Sequence, residues 1–433
     1  MSRKLIIAMA ILSFAFAGTT FAAVENIKVS GDINTQAITR SLDLGASGTG
    51  NDDSLSGIFS QIRLKVDADL TEGVSAVVSL LSERIWGEED AGNDDGSTEL
   101  TLDLGYIKLQ EFLYDPLTLI VGRQNLRFGN ALIIGDPDTN QVASGEVPTS
   151  IADLSLRKSF DAVRGVLDFV PWTIDLFYVK VDENDLVADD DETMMGINAA
   201  YDWSSYNGVT ELYVVNVDGR DDFQTAEDED NTLTVGARVQ FDPNDNLTLG
   251  MEAAHQSGDY YVGTDTFHRN AWAAQAIGEY RFLNDYNTKI GVSYTYLTGE
   301  DADGSDDNEY KAWDPIYEDQ TPGEILNILL TNSNAQFISA SASCMPKEDI
   351  TLALVYTYAR LNEQLGSLSV DSGTYTMKDE KDFGNEVDVC ALYDYTEDVQ
   401  LSLNAGWFMP GDAFDNSNDN TAYSIRGGIN VGF

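Results

Sequence analysis

Tyr423-Ser424-Ile425-Arg426-Gly427-Gly428-Ile429-Asn430-Val431-Gly432-Phe433 ends the chain. Tyr423, Ile425, Gly427, Ile429, Val431 and Phe433 fall on one parity, and Ser424, Arg426, Gly428, Asn430 and Gly432 on the other. Period two describes a strand with two unlike faces. Such a strand can face lipid only inside a closed barrel, where no edge amide is left without a partner. An edge strand of a soluble sandwich alternates in the same way, so the rest of the chain has to decide between them.

The amino terminus argues for export. Arg3 and Lys4 precede an apolar run from Leu5 to Ala17, and Thr20-Phe21-Ala22 supplies the small residues that a signal peptidase reads. Residues 1–22 are therefore expected to be a signal peptide, cleaved after Ala22 or Ala23, with residues 23–433 forming the mature domain. The apolar run is too short for a stable spanning helix, and no later stretch approaches ~20 consecutive apolar residues. The expected location is the bacterial outer membrane.

Segments of alternating residues recur along the chain. The clearest is Ile62-Arg63-Leu64-Lys65-Val66-Asp67-Ala68-Asp69-Leu70, with every charge on one parity and every apolar residue on the other. Comparable patterns near 27–39, 74–86, 99–111, 117–128, 160–170, 172–181, 194–203, 208–217, 233–241, 247–255, 271–282, 290–297, 338–344, 352–358, 387–395 and 398–408, with the terminal strand, make eighteen. Sixteen is the alternative. Tight turns such as Thr71-Glu72-Gly73, Val170-Pro171 and Pro346-Lys347-Glu348-Asp349 follow even-numbered strands, and long acidic connections follow odd-numbered ones. The long ones span 87–98, 182–193, 218–231, 299–334, 362–384 and 410–420. This order predicts an all-β, single-chain antiparallel transmembrane barrel with short periplasmic turns and long acidic loops outside. Trp172, Tyr201 and Trp203 would mark the periplasmic boundary, and Trp86 and Trp407 the outer one.

With 25 Lys+Arg against 73 Asp+Glu, the formal net charge is -48, which excludes a nucleic-acid binder. Acid crowds the loops, whereas base lies on strands opposite the apolar parity. A cation at the lipid midplane costs ~2–4 kcal/mol, so Arg63, Lys65, Arg123, Arg127, Arg164, Arg238, Arg281, Lys289 and Arg426 are expected to line the pore. Asp67, Asp69, Asp168, Glu252, Glu279 and Asp388 share that inward parity, and mutually neutralising ladders weigh equally with a transport role. The connection 129–156, which begins with the apolar run Ala131-Leu132-Ile133-Ile134, is the segment expected to fold inward and narrow the pore.

Enzymatic chemistry has little to draw on. The two histidines, His255 and His268, have no nucleophile or orienting group at a recognisable spacing. Cys344 and Cys390 fall on opposite faces, against a disulfide. The run Asp301-Ala302-Asp303-Gly304-Ser305-Asp306-Asp307 offers oxygen ligands but no bidentate Glu at EF-hand spacing. No cofactor is expected beyond loosely held divalent cations such as calcium, and no dedicated metal site.

Val121-Gly122-Arg123-Gln124-Asn125-Leu126-Arg127-Phe128-Gly129 with the downstream Ile134-Gly135-Asp136, and Gly384-Asn385-Glu386-Val387-Asp388, Tyr393, Gly406-Trp407-Phe408-Met409-Pro410-Gly411-Asp412 and Phe433, resemble the alginate-export family of outer-membrane porins. The resemblance covers roughly a fifth of the chain. It implies an eighteen-stranded monomeric barrel with an arginine-rich lumen, in which Arg123 and Arg127 match the positive pathway. The lumen carboxylates and acidic exterior depart from that pattern. The expected function is a porin for passive passage of a charged or polar solute, with an anionic oligo- or polysaccharide as the solute the resemblance implies. The expected partners are that solute, outer-membrane lipid, and the barrel-assembly machinery acting through the terminal strand and Phe433. A structural or adhesive barrel, or a sheath for an electron-transfer partner, are the alternatives. The chain has no Cys-x-x-Cys-His of its own.

Overall fold

The computed structural model describes residues 26–45, 54–87, 100–137, 153–183, 191–219, 230–262, 265–300, 308–370, 373–415 and 417–433. The expected signal peptide, the outer connection 88–99 and the acidic run 301–307 lie outside them. The strands are β1 (Asn26–Ser41), β2 (Ser54–Thr71), β3 (Val74–Ile85), β4 (Thr101–Leu109), β5 (Leu117–Asn125), β6 (Ser159–Phe169), β7 (Trp172–Glu183), β8 (Asp191–Trp203), β9 (Gly208–Asp218), β10 (Asn231–Asn244), β11 (Leu247–Val262), β12 (Asp265–Arg281), β13 (Lys289–Leu297), β14 (Glu309–Tyr310), β15 (Ala335–Lys347), β16 (Ile350–Leu361), β17 (Ser367–Val370), β18 (Gly373–Thr376), β19 (Asp382–Asp394), β20 (Val399–Pro410) and β21 (Ala422–Gly432). A four-residue helix, α1 (Leu326–Leu329), lies between β14 and β15.

Eighteen of these strands form one closed antiparallel ring. Each pairs with its neighbour in chain order, β13 passing directly to β15 and β16 to β19, and β21 returns to β1. The terminal strand therefore closes the barrel: Ile33 faces Val431, Arg40 faces Ser424, and Gly31 and Phe433 exchange both backbone hydrogen bonds at 2.9 Å. β14 adds only two residues, parallel to β12, and β17 with β18 forms a separate hairpin.

Alternation now has a physical meaning. Ile62, Leu64, Ile197, Val214, Val235, Met251, Val292, Leu354, Leu403 and Ile429 are exposed on the outside of the ring, where lipid would cover them. Aromatic side chains collect at the short-turn end: Trp172 meets Tyr201 with ring centroids 4.9 Å apart, and Trp203 stacks on Phe241 at 5.9 Å. Trp86 and Trp407 stand exposed at the other end. Cys344 and Cys390 are free thiols on strands β15 and β19.

All eighteen expected strands are present, but several are longer than the alternation predicts. β2 begins at Ser54, and β11 and β12 continue to Val262 and from Asp265. His268 consequently lies on a strand, not in a loop. Its Nδ1 is 2.9 Å from Asp259 Oδ1, while His255 packs at 4.3 Å on Trp272. Both histidines share the outward parity of the exposed Trp272 and Met251. These strand extensions mix apolar and polar residues without a strict alternation, as in Gly57-Ile58-Phe59-Ser60 and Gly258-Asp259-Tyr260-Tyr261, so periodicity could not reveal them.

Candidate functional site

The lumen is not empty. Apolar side chains of two connections that turn inward pack on inward-facing strand residues, in one cluster with Leu42, Leu44, Leu368, Tyr375, Met377 and Phe414 of other connections. The first connection follows β5. Its residues Ala131, Leu132, Ile133 and Ile134 are all buried, and Asn130 reaches three strands on another part of the ring: its backbone N–H donates to Glu252 of β11 at 3.1 Å, its side-chain amide donates to Gln275 of β12 at 3.0 Å, and Arg238 of β10 donates to its Oδ1 at 3.1 Å. Gly129 makes this approach at a φ of 57°, where a Cβ would come within 2.9 Å of the Glu252 carboxylate. At its far end the same connection lies along β1–β3: Arg40 holds Asp153 at 2.8 and 3.0 Å, and Glu83 accepts from Ser155 Oγ and from the Leu156 N–H. The intervening residues 138–152 are outside the described ones.

The second inward segment is 313–332, within the connection expected to face outside. This long connection between β13 and β15 folds back into the ring, which the sequence did not reveal. The segment pairs with the first through an Ile134–Tyr317 bridge, with Tyr317 N–H to Ile133 at 3.0 Å and Asp319 N–H to Ala131 at 3.0 Å. It then runs along the inner wall: Asp314 exchanges two hydrogen bonds with Gln256 of β11, Gln320 donates to Asn130, Pro322 accepts from Thr357 of β16, Glu386 of β19 accepts the N–H groups of Ile325 and Leu326 at 2.7 Å, and Glu324 forms a bidentate pair with Arg426 of β21. The driving force is plain from the residues. Trp313, Ile316, Tyr317, Ile325, Leu326 and Leu329 are all buried, each apolar side chain contributing about 1.5–3 kcal/mol relative to exposure in water.

The expected pore-lining cations are distributed unevenly. Arg426 and Arg238 anchor the inward segments, the latter with Glu211 Oε2 at 2.5 Å. Arg127 pairs with Asp319, which Lys158 also holds at 2.6 Å. Arg63 meets Asp103 at 3.0 Å and donates to the Leu156 carbonyl, and Arg164 meets Asp175 at 2.5 Å beneath the Phe128 ring. Lys65 pairs with Asp67, and Lys289 with Glu279, while Arg281 ends β12 at the short-turn side. Arg123 departs from expectation. It pairs with Asp161 at 3.1 Å on the face that carries the exposed Val121 and Val163, so it lies outside the lumen. It shares the parity of Leu119 and Val121, and the pairing with β6 continues through Gly122 without a register shift.

Sequence reading missed most of the neutral lining. Beside the inward segments lies an open cavity of about 520 Å3, lined by Asn130, Gln275, Gln320, Ser293, Ser339 and Ser341, by Ile277, Val355 and Pro322, and by Arg127, Asp319 and Glu279. Gln275, Ser293, Ser339 and Ser341 carry the inward parity and could have been found by it. Gln320 and Asp319 sit in a connection with no period to read. The one available signal there was the apolar run 325–330 in an otherwise acidic stretch.

Three comparisons bear on this architecture. A family model described as "Alginate export" matches residues 32–427. Among solved structures, OccAB2 of Acinetobacter baumannii aligns with a TM-score of 0.60 at 12% identity over 95% of this chain and 99% of that one. OccK8 (OprE) of Pseudomonas aeruginosa gives 0.59 at 11% identity over 95% and 98%, and a BenF-like porin from Pseudomonas fluorescens Pf-5 gives 0.56 at 12% over 96% and 100%. At such identities the likeness concerns the fold. No curated protein matches the sequence.

Proposed function

The chain belongs to the alginate-export family, and from that premise we propose that it is a passive channel of the bacterial outer membrane, non-enzymatic, whose bore is set by the two inward segments. The observation that carries this reading is the cavity of about 520 Å3 left alongside those segments inside a closed ring. A structural barrel would have no need of a partly open, polar-lined interior, and a sheath would need room for a second protein where this chain has placed its own residues 129–135 and 313–330. The outward apolar face and the aromatic band at the short-turn end support residence in a bilayer. Both histidines lie on the outward face, away from the polar interior, which supports passage without chemistry.

Selection would then rest on size and field. Salt-bridged side chains hold the inward segments in place, and carboxylates held by neutral donors, such as Glu386 and Glu252, add negative potential inside. The remaining lumen-facing cations act as fixed positive counter-charges. Terminal-strand recognition by assembly machinery, with Phe433 at its end, belongs to the same proposal. The experiment is single-channel conductance of the refolded mature chain in planar bilayers, compared with a variant lacking residues 313–330. A larger unitary current in the deletion supports the reading; an unchanged current, or no conductance in the intact chain, overturns it.

A further inference from the structure

We propose that the cavity between Asn130, Gln275, Gln320 and the β13–β15 wall is a binding station for an uncharged, hydroxyl-rich solute of sugar type, rather than for a polyanion. The inference deepens the channel reading and rests on it for the solute's arrival. Three observations carry it. First, the charges nearby are already matched: Arg127 and Lys158 share Asp319, Lys158 also reaches Asp136 at 3.7 Å, and Lys289 holds Glu279 at 3.2 Å. A polyanion entering here would have to break these pairs and face their carboxylates. Second, the interior groups left to meet a solute are amides and hydroxyls. Asn130, Gln275 and Gln320 hydrogen-bond to one another at 3.0 to 3.4 Å, and Gln275 also reaches Thr295 at 3.0 Å. A carboxamide carries both donor and acceptor, so each can exchange an amide partner for a hydroxyl at little cost. Third, Ile277, Val355 and Pro322 line the same space as the polar groups. A pyranose, with hydroxyls at its rim and C–H groups on its faces, matches that mixed lining. The volume falls in the ~300–1,000 Å3 range typical of small-molecule sites.

The test uses the full mature barrel with maltose and D-glucuronate as probes. Ion current through single channels should fall saturably as maltose is added, and titration calorimetry of the detergent-solubilised barrel should register the same site. Gln320→Ala and Gln275→Ala should each raise the half-saturating maltose concentration by roughly 3- to 10-fold, the range that one lost hydrogen bond supplies. Gln320 lies on an inward segment and not on a strand, so its variant keeps the ring; heat-modifiable gel mobility verifies folding. Glucuronate should act more weakly than maltose. Stronger block by glucuronate, or steady conductance with neither block nor calorimetric binding of maltose, overturns this inference while leaving the channel. Maltose binding without conductance would sustain the site and overturn the channel reading.

Discussion

At the scale of single residues, burial and pairing decide what each charge does. Glu318 lies on the inward segment, outside the spanning strands. Its carboxyl is pushed up to about 7, chiefly by burial, with Asn332 donating to it at 2.8 Å and partly offsetting that effect. A carboxyl whose folded value is raised takes up more protons in the docked state, so its contribution is full below the ordinary carboxylate range and is lost as pH rises through about 7. The segment should therefore dock less firmly at pH 8 than at pH 5. Unitary conductance should rise across that window, and Glu318→Gln should flatten the profile; a variant with the same pH dependence as the parent would remove Glu318 from the account. Arg238 makes a second case. Both it and Glu211 are about nine-tenths buried, and truncating one partner of such a pair costs about 3–5 kcal/mol because the other charge is stranded. Arg238→Met should thus lower the urea midpoint and free Asn130, with more frequent current fluctuations. A wild-type midpoint would show that solvent reaches this pair.

At the scale of elements, the packing of β1 against β2 and the end of β21 closes the ring. A Cβ on Gly31 would lie 2.5 Å from the Arg63 carbonyl and 2.8 Å from the Phe433 ring, whereas one on Gly427 would meet nothing within 4 Å. Gly31→Val should consequently cut the refolding yield and the temperature at which the barrel unfolds on gels, while Gly427→Val should fold as the parent does. Equal behaviour of the two would mean the terminal strand can slip. Strands such as β2 and β13 were legible because each carries a strictly alternating polar and apolar pattern. The early part of β2 and the ends of β11 and β12 were not, because there buried polar side chains such as Gln61, Gln256 and Arg269 stand on the inner face, and the apolar residues keep no strict alternation. The parity of Arg123 was legible but overridden by its charge: it falls on the parity of Leu117, Leu119 and Val121, and the register with β6 runs through Gly122 without a shift.

At the scale of the whole molecule, a net charge of -48 surrounds a lumen whose basic residues are paired. Small cations should therefore pass in preference to anions, and the reversal potential under a KCl gradient should report this. The preference should weaken between 0.1 and 1 M salt as the Debye length falls from about 10 to about 3 Å. Anion preference would mean that Arg127 dominates the field despite Asp319. Sequence by itself determined the barrel, the count of eighteen strands, and the alternation of short and long connections. Each of these follows from local periodicity, which a strand keeps wherever its partners lie. The apolar start of 129–156 marked it in the sequence as a segment to fold inward; only the tertiary structure decided that 313–330 joins it and how the two pack. Residues 129–135 and 313–330 meet one another and the walls across separations from 35 residues, between Thr357 and Pro322, to 192, in the neighbouring pair Arg127 and Asp319, and no period in either segment encodes that meeting. The inner surface is consequently a product of packing: apolar side chains left over from two connections found cover in the lumen, tied up its charges, and left amides and hydroxyls facing the remaining space.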